Sequence, residues 1–250
     1  MPVRLEAHAL TVTIGGSLVC RDLNLTLKSG QCWAMLGVNG VGKTTLLHTL
    51  AGLRPPQAGE IRLGGRKNWA LQRGVVFQND DLDALPMTVE EVASTGRYPH
   101  LGFWGHERPK DRQAVTDALE MVGIAHLSRR DAASLSGGER QRLRLATFLA
   151  QDVPLGLLDE PTNHLDPGAQ FSLLNLLVTR TRERHGALLM TLHDVNCAVR
   201  FCDQCLLLFG HGNTEIGATS SALTAPTLTR LYRHPMIATP APWGVAWLPG

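Results

Sequence analysis

The most informative run in this 250-residue sequence is Gly37-Val38-Asn39-Gly40-Val41-Gly42-Lys43-Thr44. It fits the pattern G-x-x-x-x-G-K-T, which predicts a phosphate-binding loop. The glycines let backbone N–H groups turn toward phosphate oxygens, and the helix that follows adds the positive end of its dipole. In this pattern Lys43 reaches the β- and γ-phosphates, and Thr44 offers its hydroxyl to Mg²⁺. We therefore expect a site for a nucleoside triphosphate with Mg²⁺.

The sequence around this loop predicts alternating strands and helices. Residues 33–36 form an apolar run before the loop, and leucines at helical spacing follow it. Further apolar runs occupy residues 75–77, 155–158 and 187–192. Unbroken runs of this length indicate strands that are buried on both faces, as in a parallel sheet covered by helices.

Three other regions complete the predicted architecture. Residues 1–30 alternate like an antiparallel edge sheet with one buried face. Residues 79–135 contain helix signals, a capping box at Thr88 and a proline start at Pro109, without a strand pattern. We therefore predict an α/β fold, a P-loop NTPase with a mostly parallel core sheet, an N-terminal antiparallel β-subdomain and an inserted helical subdomain. The predicted boundaries are 1–78 and 154–234 for the core, 79–153 for the helical subdomain, and 235–250 for an irregular C-terminal tail whose Trp243 and Trp247 pack on the body.

Composition excludes several classes of protein. The chain is 44% hydrophobic and 18% charged, which rules out a disordered chain, a collagen and a charge-rich coiled coil. Its net charge of +2 argues against nucleic-acid binding. No apolar run reaches the ~18 residues of a membrane helix, and the N-terminus lacks the apolar core of a signal peptide. Five cysteines, an odd number, fit a reducing cytosol, and Cys202 and Cys205 are interpreted as packed thiols.

Two other short motifs fit nucleotide chemistry. Asp159 and Glu160 follow an apolar run, where the first carboxylate can hold Mg²⁺ and the second can act as general base on a water. A solvated strand end is the alternative, and the phosphate loop upstream disfavours it. Ser136 and Glu139 form a capping box, so a helix begins after Ser136. Because two glycines open that helix, its first N–H groups form a second anion-binding site.

Together these motifs resemble those of the nucleotide-binding subunits of ATP-binding cassette (ABC) transporters, over nearly the whole chain. Residues 135–141 read LSGGERQ, which is similar to the family signature. Residues 37–45 resemble the Walker A loop and residues 155–160 the Walker B strand. The single-residue matches are Gln78 in the Q-loop, Asp166 in the D-loop and His193 as the switch histidine. The resemblance implies ATP and Mg²⁺ as cofactors and transport-coupled ATP hydrolysis as the activity.

The resemblance also implies a homodimer in which ATP lies between the Walker A loop of one subunit and the signature of the other. Glu160 is then the catalytic base, His193 contacts the γ-phosphate, and Gln78 senses Mg²⁺ and links the site to the helical subdomain. The implied metal site consists of Thr44, Gln78 and Asp159. The implied nucleotide contacts are Gly37, Val38, Asn39, Gly40, Val41, Gly42, Lys43, Thr44, Thr45, Ser136, Gly137, Gly138 and Asp166, the last of which communicates across the dimer.

One feature departs from the family pattern. Family members usually stack an aromatic side chain on adenine near the first hairpin, where this chain has Thr13, Ile14, Gly15, Gly16 and Ser17. Base stacking is therefore weaker, replaced by an aliphatic contact, or supplied from elsewhere in the chain. The sequence alone assigns no adenine contact.

Residues 95–100, TGRYPH, resemble a segment in importer ATPases for ferric siderophores, haem and cobalamin, and we lean towards cobalamin. A surface turn is the alternative interpretation. The resemblance implies separate integral-membrane permease subunits, a periplasmic or extracellular solute-binding protein, and a peripheral position on the cytoplasmic face of the cell membrane. Two alternatives stay open, the ATPase of an exporter and a soluble cassette ATPase acting on ribosomes or DNA. A module that binds ATP without hydrolysing it is disfavoured because Glu160 and His193 are both present.

Overall fold

The computed structural model describes residues 4–64, 72–77, 86–101 and 105–250. The strands are β1 (Arg4–Ile14), β2 (Ser17–Lys28), β3 (Cys32–Leu36), β4 (Ala58–Leu63), β5 (Arg73–Val76), β6 (Leu155–Leu158), β7 (Ala187–Thr191), β8 (Gln204–Gly210), β9 (Asn213–Ala218), β10 (Met236–Ala241) and β11 (Gly244–Pro249). The helices are α1 (Lys43–Leu50), α2 (Val89–Thr95), α3 (Tyr98–Leu101), α4 (Pro109–Met121), α5 (Gly137–Gln151), α6 (Pro167–Glu183), α7 (Val195–Phe201), α8 (Thr219–Ala222) and α9 (Ala225–Tyr232).

The central sheet has the strand order β5-β6-β7-β3-β8-β9. All of its neighbouring strands are parallel except β8 and β9, which pair antiparallel. In β3, Trp33 and Met35 join the hydrophobic core that contains α1, while Ala34 and Leu36 join the core on the opposite face. Successive residues of a strand point to opposite faces, so a strand with a core on each side must be apolar throughout. The predicted α/β fold with a mostly parallel core sheet is confirmed.

The N-terminal residues form a separate antiparallel sheet with the order β2-β1-β4. Its inward-facing side chains, including Leu5, Val12 and Leu25, are buried in the core shared with α1 and with one face of the central sheet. The alternation in residues 1–30 is therefore the pattern of a half-buried sheet, as expected. The third strand, β4, lies beyond the segment in which that alternation was visible.

Helices α2 to α5 lie between β5 and β6 in the chain, as the inserted helical subdomain requires. Thr88 and Glu91 form the predicted capping box of α2, and Pro109 is the first residue of α4. A buried ion pair joins these helices: Arg97 Nη2 lies 2.8 Å from Asp111 Oδ1, and Arg97 Nη1 donates to the Ala150 carbonyl at 2.7 Å. Arg97, from the TGRYPH segment, thus connects the loop after α2 with α4 and the end of α5.

The expectation of an irregular C-terminal tail is wrong, because residues 236–249 form the β10–β11 hairpin. Trp247 is 8% exposed, and its backbone N–H and C=O both pair with the side-chain amide of Asn196 on α7, at 2.7 and 3.1 Å. Trp243 is 44% exposed and lies against the Arg200 guanidinium, 5.2 Å from its ring centroid. Prolines are tolerated on edge strands. Because each strand of a two-stranded hairpin has a free edge, the prolines of this segment do not prevent β10 and β11 from forming.

The interpretation of the cysteines as packed thiols can be compared with their burial. All five cysteines are buried free thiols. Burial raises the pKa of the Cys197 thiol to about 12 and that of Cys205 to about 11, so both stay protonated and unreactive at neutral pH. No helix in the described part of the chain combines the length and apolar character that a bilayer span requires.

Candidate functional site

The phosphate loop connects β3 to α1, and its backbone explains the glycines. Gly40 and Gly42 have φ angles of +76° and +104°, which side chains other than glycine rarely adopt. A Cβ at Gly42 would also lie 2.6 Å from a methyl carbon of Val19. Gly42 is the N-cap of α1, so the loop leads directly into the free N–H groups of that helix. This local structure is the anion-binding geometry that the sequence pattern predicts.

Lys43 lies at the base of the loop and is 6% exposed. Its Nζ donates to the carbonyl of Gly37 at 2.9 Å and to that of Val38 at 3.2 Å. Burial lowers the pKa of Lys43, while the nearby carboxylates of Glu160 and Asp159 act in the opposite direction. The ammonium group is thus held close to the loop backbone and to both acidic residues.

The two acidic residues follow β6 and are joined by a side chain of β7. Asp159 is fully buried, and its Oδ1 accepts a hydrogen bond of 2.6 Å from the Thr191 hydroxyl. The backbone N–H of Glu160 donates to the same Thr191 oxygen at 2.8 Å. Thr191 was not singled out from the sequence. The only sequence feature that pointed to it was a hydroxyl residue near the end of an otherwise apolar run.

The carboxylate of Glu160 contacts two side chains beside the phosphate loop. Its Oε1 lies 2.6 Å from His193 Nε2, and its Oε2 accepts from Asn163 Nδ2 at 3.2 Å. The Glu160 side chain is 10% exposed, whereas His193 is 49% exposed. His193 lies two residues after the end of β7, so two neighbouring parallel strands bring these groups together. Asn163 is a second residue that the sequence reasoning did not single out.

A cleft of about 500 Å³ lies between these elements. Its lining consists of Ile14, Asn39, Gly40, Gly42, Lys43, Thr44, Thr45, Glu160, Asn163 and His193. The phosphate loop follows β3, Glu160 follows β6 and His193 follows β7. The structure therefore brings these predicted residues together at the carboxyl ends of parallel strands, where open α/β sheets bind ligands.

The remaining predicted residues lie around or away from this cleft. Val38 and Val41 line an adjoining cleft of about 550 Å³. None of the described residues lining either cleft comes from the signature, residues 136–138. Asp166 is exposed and caps α6 by accepting the Ala169 N–H at 2.9 Å. Gln78 lies outside the described residues.

The signature begins α5 on a different side of the acidic residues. Ser136 caps the helix: its hydroxyl donates to Glu139 Oε2 at 2.7 Å and accepts the Glu139 N–H at 3.4 Å. Ser136 and Gly137 are exposed, and a Cβ on Gly137 would lie 3.6 Å from His164, in the segment after Glu160. The N-termini of α1 and α5 are both suited to anions, and of these two the N-terminus of α1 is the one that opens into the cleft.

The acidic residues also fit a magnesium ion. Asp159 Oδ2 is buried and has no hydrogen-bond partner among the described residues, so a cation would satisfy it. No group of three or more His, Cys, Asp or Glu side chains in the described ranges could hold a metal alone. A site with one free carboxylate oxygen suits Mg²⁺, because proteins bind this ion through one or two carboxylates together with substrate phosphates.

The first hairpin supplies an aliphatic side chain at the edge of the cleft. Ile14 pairs with Ser17 across a two-residue turn, and Gly15 and Gly16 have φ angles of +54° and +80°. Ile14 is 43% exposed and lines both clefts. No phenylalanine, tyrosine or tryptophan of the described residues lines either one.

A P-loop cleft with an adjacent acid pair, a histidine and a separate signature helix defines a nucleotide-hydrolysing cassette. The chain belongs to the ABC transporter family, which its residues 20–163 match. It is 37% identical to the ferric enterobactin transport ATP-binding protein FepC of Escherichia coli (strain K12), over 92% of this chain and 87% of that protein. It is 38% identical to the hemin import ATP-binding protein HmuV of Pseudomonas entomophila (strain L48), over 95% and 96% of the two chains.

A solved structure gives the same result. An inward-facing conformation of a metal-chelate type ABC transporter matches with a TM-score of 0.86 and 30% identity, over 100% of this chain and 98% of that chain. The family and the cassette fold predicted from the motifs are therefore confirmed. The chain is an ATP-binding subunit that hydrolyses ATP.

Proposed function

We propose that this chain powers the import of a metal chelate, such as a ferric siderophore, haem or cobalamin, through separate membrane subunits. Two relatives at 37% and 38% identity are named for transport of ferric enterobactin and import of hemin. The transporter structure at 30% identity is of the metal-chelate type. These relatives support the solute class, and they favour import over the exporter and soluble-cassette alternatives.

The observation that carries the mechanism is the separation of the two anion-binding helix ends. The phosphate loop opens into the cleft, whereas Ser136 and Gly137 are exposed at the start of α5 and do not line it. One chain therefore holds half of each of two composite sites. We propose that two chains pack head to tail, so that Ser136, Gly137 and Gly138 of one subunit complete the ATP site of the other, with Asp166 near the shared interface.

Within each composite site we assign the described residues by their positions and Gln78 by its sequence match to the Q-loop. The loop N–H groups of residues 37–45 and Lys43 would bind the triphosphate, and Thr44, Asp159 and Gln78 would hold Mg²⁺. When bound, Mg²⁺ neutralises charge that develops on the phosphate oxygens. Glu160 accepts the proton of the water that attacks the γ-phosphorus, as the bond from that phosphorus to the bridging oxygen breaks. His193, 2.6 Å from Glu160, orients the carboxylate and contacts the γ-phosphate.

The proposal also gives the chain a location and partners. An ATPase that drives import works at the cytoplasmic face of the membrane, where ATP is available. It must contact integral-membrane permease subunits, and a periplasmic or extracellular solute-binding protein would deliver the chelate. The inserted helices, α2 to α5, are the part that we expect to contact the permease, with Gln78 linking them to the ATP site.

The test is to co-purify the chain with its membrane partner, reconstitute the complex in liposomes, and measure ATP hydrolysis with candidate solutes. A ferric siderophore, haem or cobalamin with its binding protein should stimulate hydrolysis, whereas a sugar or an amino acid should not. A complex carrying Glu160→Gln is the matched control for contaminating ATPases. Co-purification with ribosomes in place of a membrane protein, or stimulation by none of the chelates, would contradict the proposal.

A further inference from the structure

Thr191 is a buried polar residue that none of the predicted roles uses. It is the last residue of β7, it is fully buried, and the strand residues before it are apolar. Its hydroxyl acts once as a donor and once as an acceptor. It donates to Asp159 Oδ1 at 2.6 Å and accepts the Glu160 N–H at 2.8 Å.

The two contacts constrain different parts of the site. The bond to Oδ1 fixes the Asp159 carboxylate and leaves Oδ2 as the buried oxygen without a partner. The bond from the Glu160 N–H fixes a backbone with a φ of +48°, an uncommon conformation for a side chain of that size. Because threonine is branched at Cβ, its χ1 angle is stiff and its hydroxyl holds one direction.

We propose that Thr191 is a positioning residue that ties the metal-holding carboxylate of Asp159 to the general base Glu160. The inference rests on the roles assigned to these two acids under the proposed function. The hydroxyl directs Asp159 Oδ2 to the cation and holds the Glu160 backbone so that its carboxylate reaches His193 and the attacking water. Movement of β7, which also leads into His193, is thereby transmitted to both acids through a single oxygen.

The test compares Thr191→Val, which has nearly the same shape without the hydroxyl, with Thr191→Ser, which keeps the hydroxyl. The matched control is Thr219→Val. Thr219 is also buried and its hydroxyl donates to the Cys202 carbonyl at 2.7 Å, but it lies on α8, outside the cleft lining. Thr219→Val therefore reports the general cost of removing a buried hydroxyl.

Five quantities are measured on the full-length chain. They are kcat and KM for ATP, Mn²⁺ affinity by electron paramagnetic resonance with a non-hydrolysable ATP analogue, affinity for that analogue in EDTA, and the melting temperature. Thr191→Val should lower both Mn²⁺ affinity and kcat on the order of tenfold, as is typical when a group that orients a metal ligand is removed. Its KM and its metal-free analogue affinity should stay within about twofold of the unmodified chain. Thr191→Ser should restore both quantities, and Thr219→Val should lower only the melting temperature.

Three results would overturn the inference. They are unchanged Mn²⁺ affinity and kcat in Thr191→Val, an equal loss in Thr191→Ser, and an equal loss of analogue binding in EDTA, which would indicate general disruption. If Thr191→Val does not fold, Thr191→Ala gives the same comparison with less bulk. Normal hydrolysis by Glu160→Gln would instead refute the role of Glu160 in the proposed function, so the two failures are distinguishable.

Discussion

Ile14 offers a direct test of how this chain holds the adenine base. The side chain lies at the end of β1, beside a two-residue turn, and lines both clefts beside the phosphate loop. Replacing it with tyrosine places an aromatic ring where relatives of the family usually have one. We expect Ile14→Tyr to bind ATP more tightly than the unmodified chain, because an aromatic face stacks on a base better than an aliphatic branch does.

The expected gain in ATP affinity follows from how much of Ile14 is exposed. Stacking of a base on an aromatic ring is worth roughly 1–3 kcal/mol. Because Ile14 lines the cleft, we expect it to supply an aliphatic part of that contact already. With 43% of the residue exposed, we take the lower half of the range, about 1.4 kcal/mol, which is about tenfold in the Kd for ATP. Isothermal titration with ATP measures this directly, and Ile14→Leu is the matched aliphatic control.

Inorganic triphosphate, which lacks the base, is the control ligand in the same assay. It separates the contribution of the base to the affinity from that of the phosphates. Its affinity should be equal in Ile14→Tyr and in the unmodified chain, because the substitution leaves the phosphate loop untouched. Equal ATP affinity in the two proteins would refute the reasoning. So would a parallel gain for triphosphate, because the tyrosine would then act on the loop and not on the base.

Three further predictions test the acid, the signature and the helical insertion. Glu160→Gln should lower kcat by at least about a hundredfold while ATP stays bound, and unchanged phosphate release would remove Glu160 as the base. Ser136→Arg should abolish hydrolysis but leave ATP affinity of the isolated subunit within about twofold; an equal loss of binding would argue against a composite site. Hydrogen bonds from Arg97 hold the pKa of Asp111 well below its ordinary value of 3.8. The ion pair therefore contributes its full stabilisation above about pH 4, and this contribution is lost as the pH falls through the lowered pKa. The melting temperature of Asp111→Asn should therefore be lower than that of the unmodified chain at pH 6, and the gap should narrow below about pH 4; a constant gap would contradict this linkage.

Much of the fold was predictable because its signals are local. Apolar runs predicted β3, β5, β6 and β7 of the central sheet but not β8 or β9. Capping residues such as Thr88 and Ser136 predicted the first residues of helices. Gly156 illustrates the limit of local reasoning, since a glycine inside a strand weakens the prediction of that strand. The structure explains it: a Cβ at Gly156 would lie 2.7 Å from both the Phe148 ring and a Leu188 methyl carbon. Such a close approach depends on tertiary packing, which no window of sequence contains.

The C-terminal hairpin and Thr191 were missed for the same reason. Prolines near residue 240 indicate irregular chain, but the paired Asn196 amide and the burial of Trp247 stabilise β11 against α7, about 50 positions earlier in the sequence. Thr191 looks like an ordinary strand residue until β6 lies beside β7 and places Asp159 next to its hydroxyl. Motif spacing identifies the residues that contact a ligand, whereas the residues that hold them in place become visible only in three dimensions.

The arrangement also shows how a single chain satisfies the polar groups that the proposed composite site would present to ATP. The signature serine needs no partner chain for its hydrogen bonds, because Ser136 is satisfied by Glu139. Those bonds also lower the pKa of Glu139, so they favour the ionised carboxylate that accepts them. The glycine N–H groups beside it face solvent, where water can satisfy them at little cost. Lys43 is likewise held by the loop carbonyls, and two nearby carboxylates offset part of the cost of burying its charge. Under the proposed function, two chains that close on ATP would therefore exchange water for phosphate oxygens at groups that the single chain already holds in place.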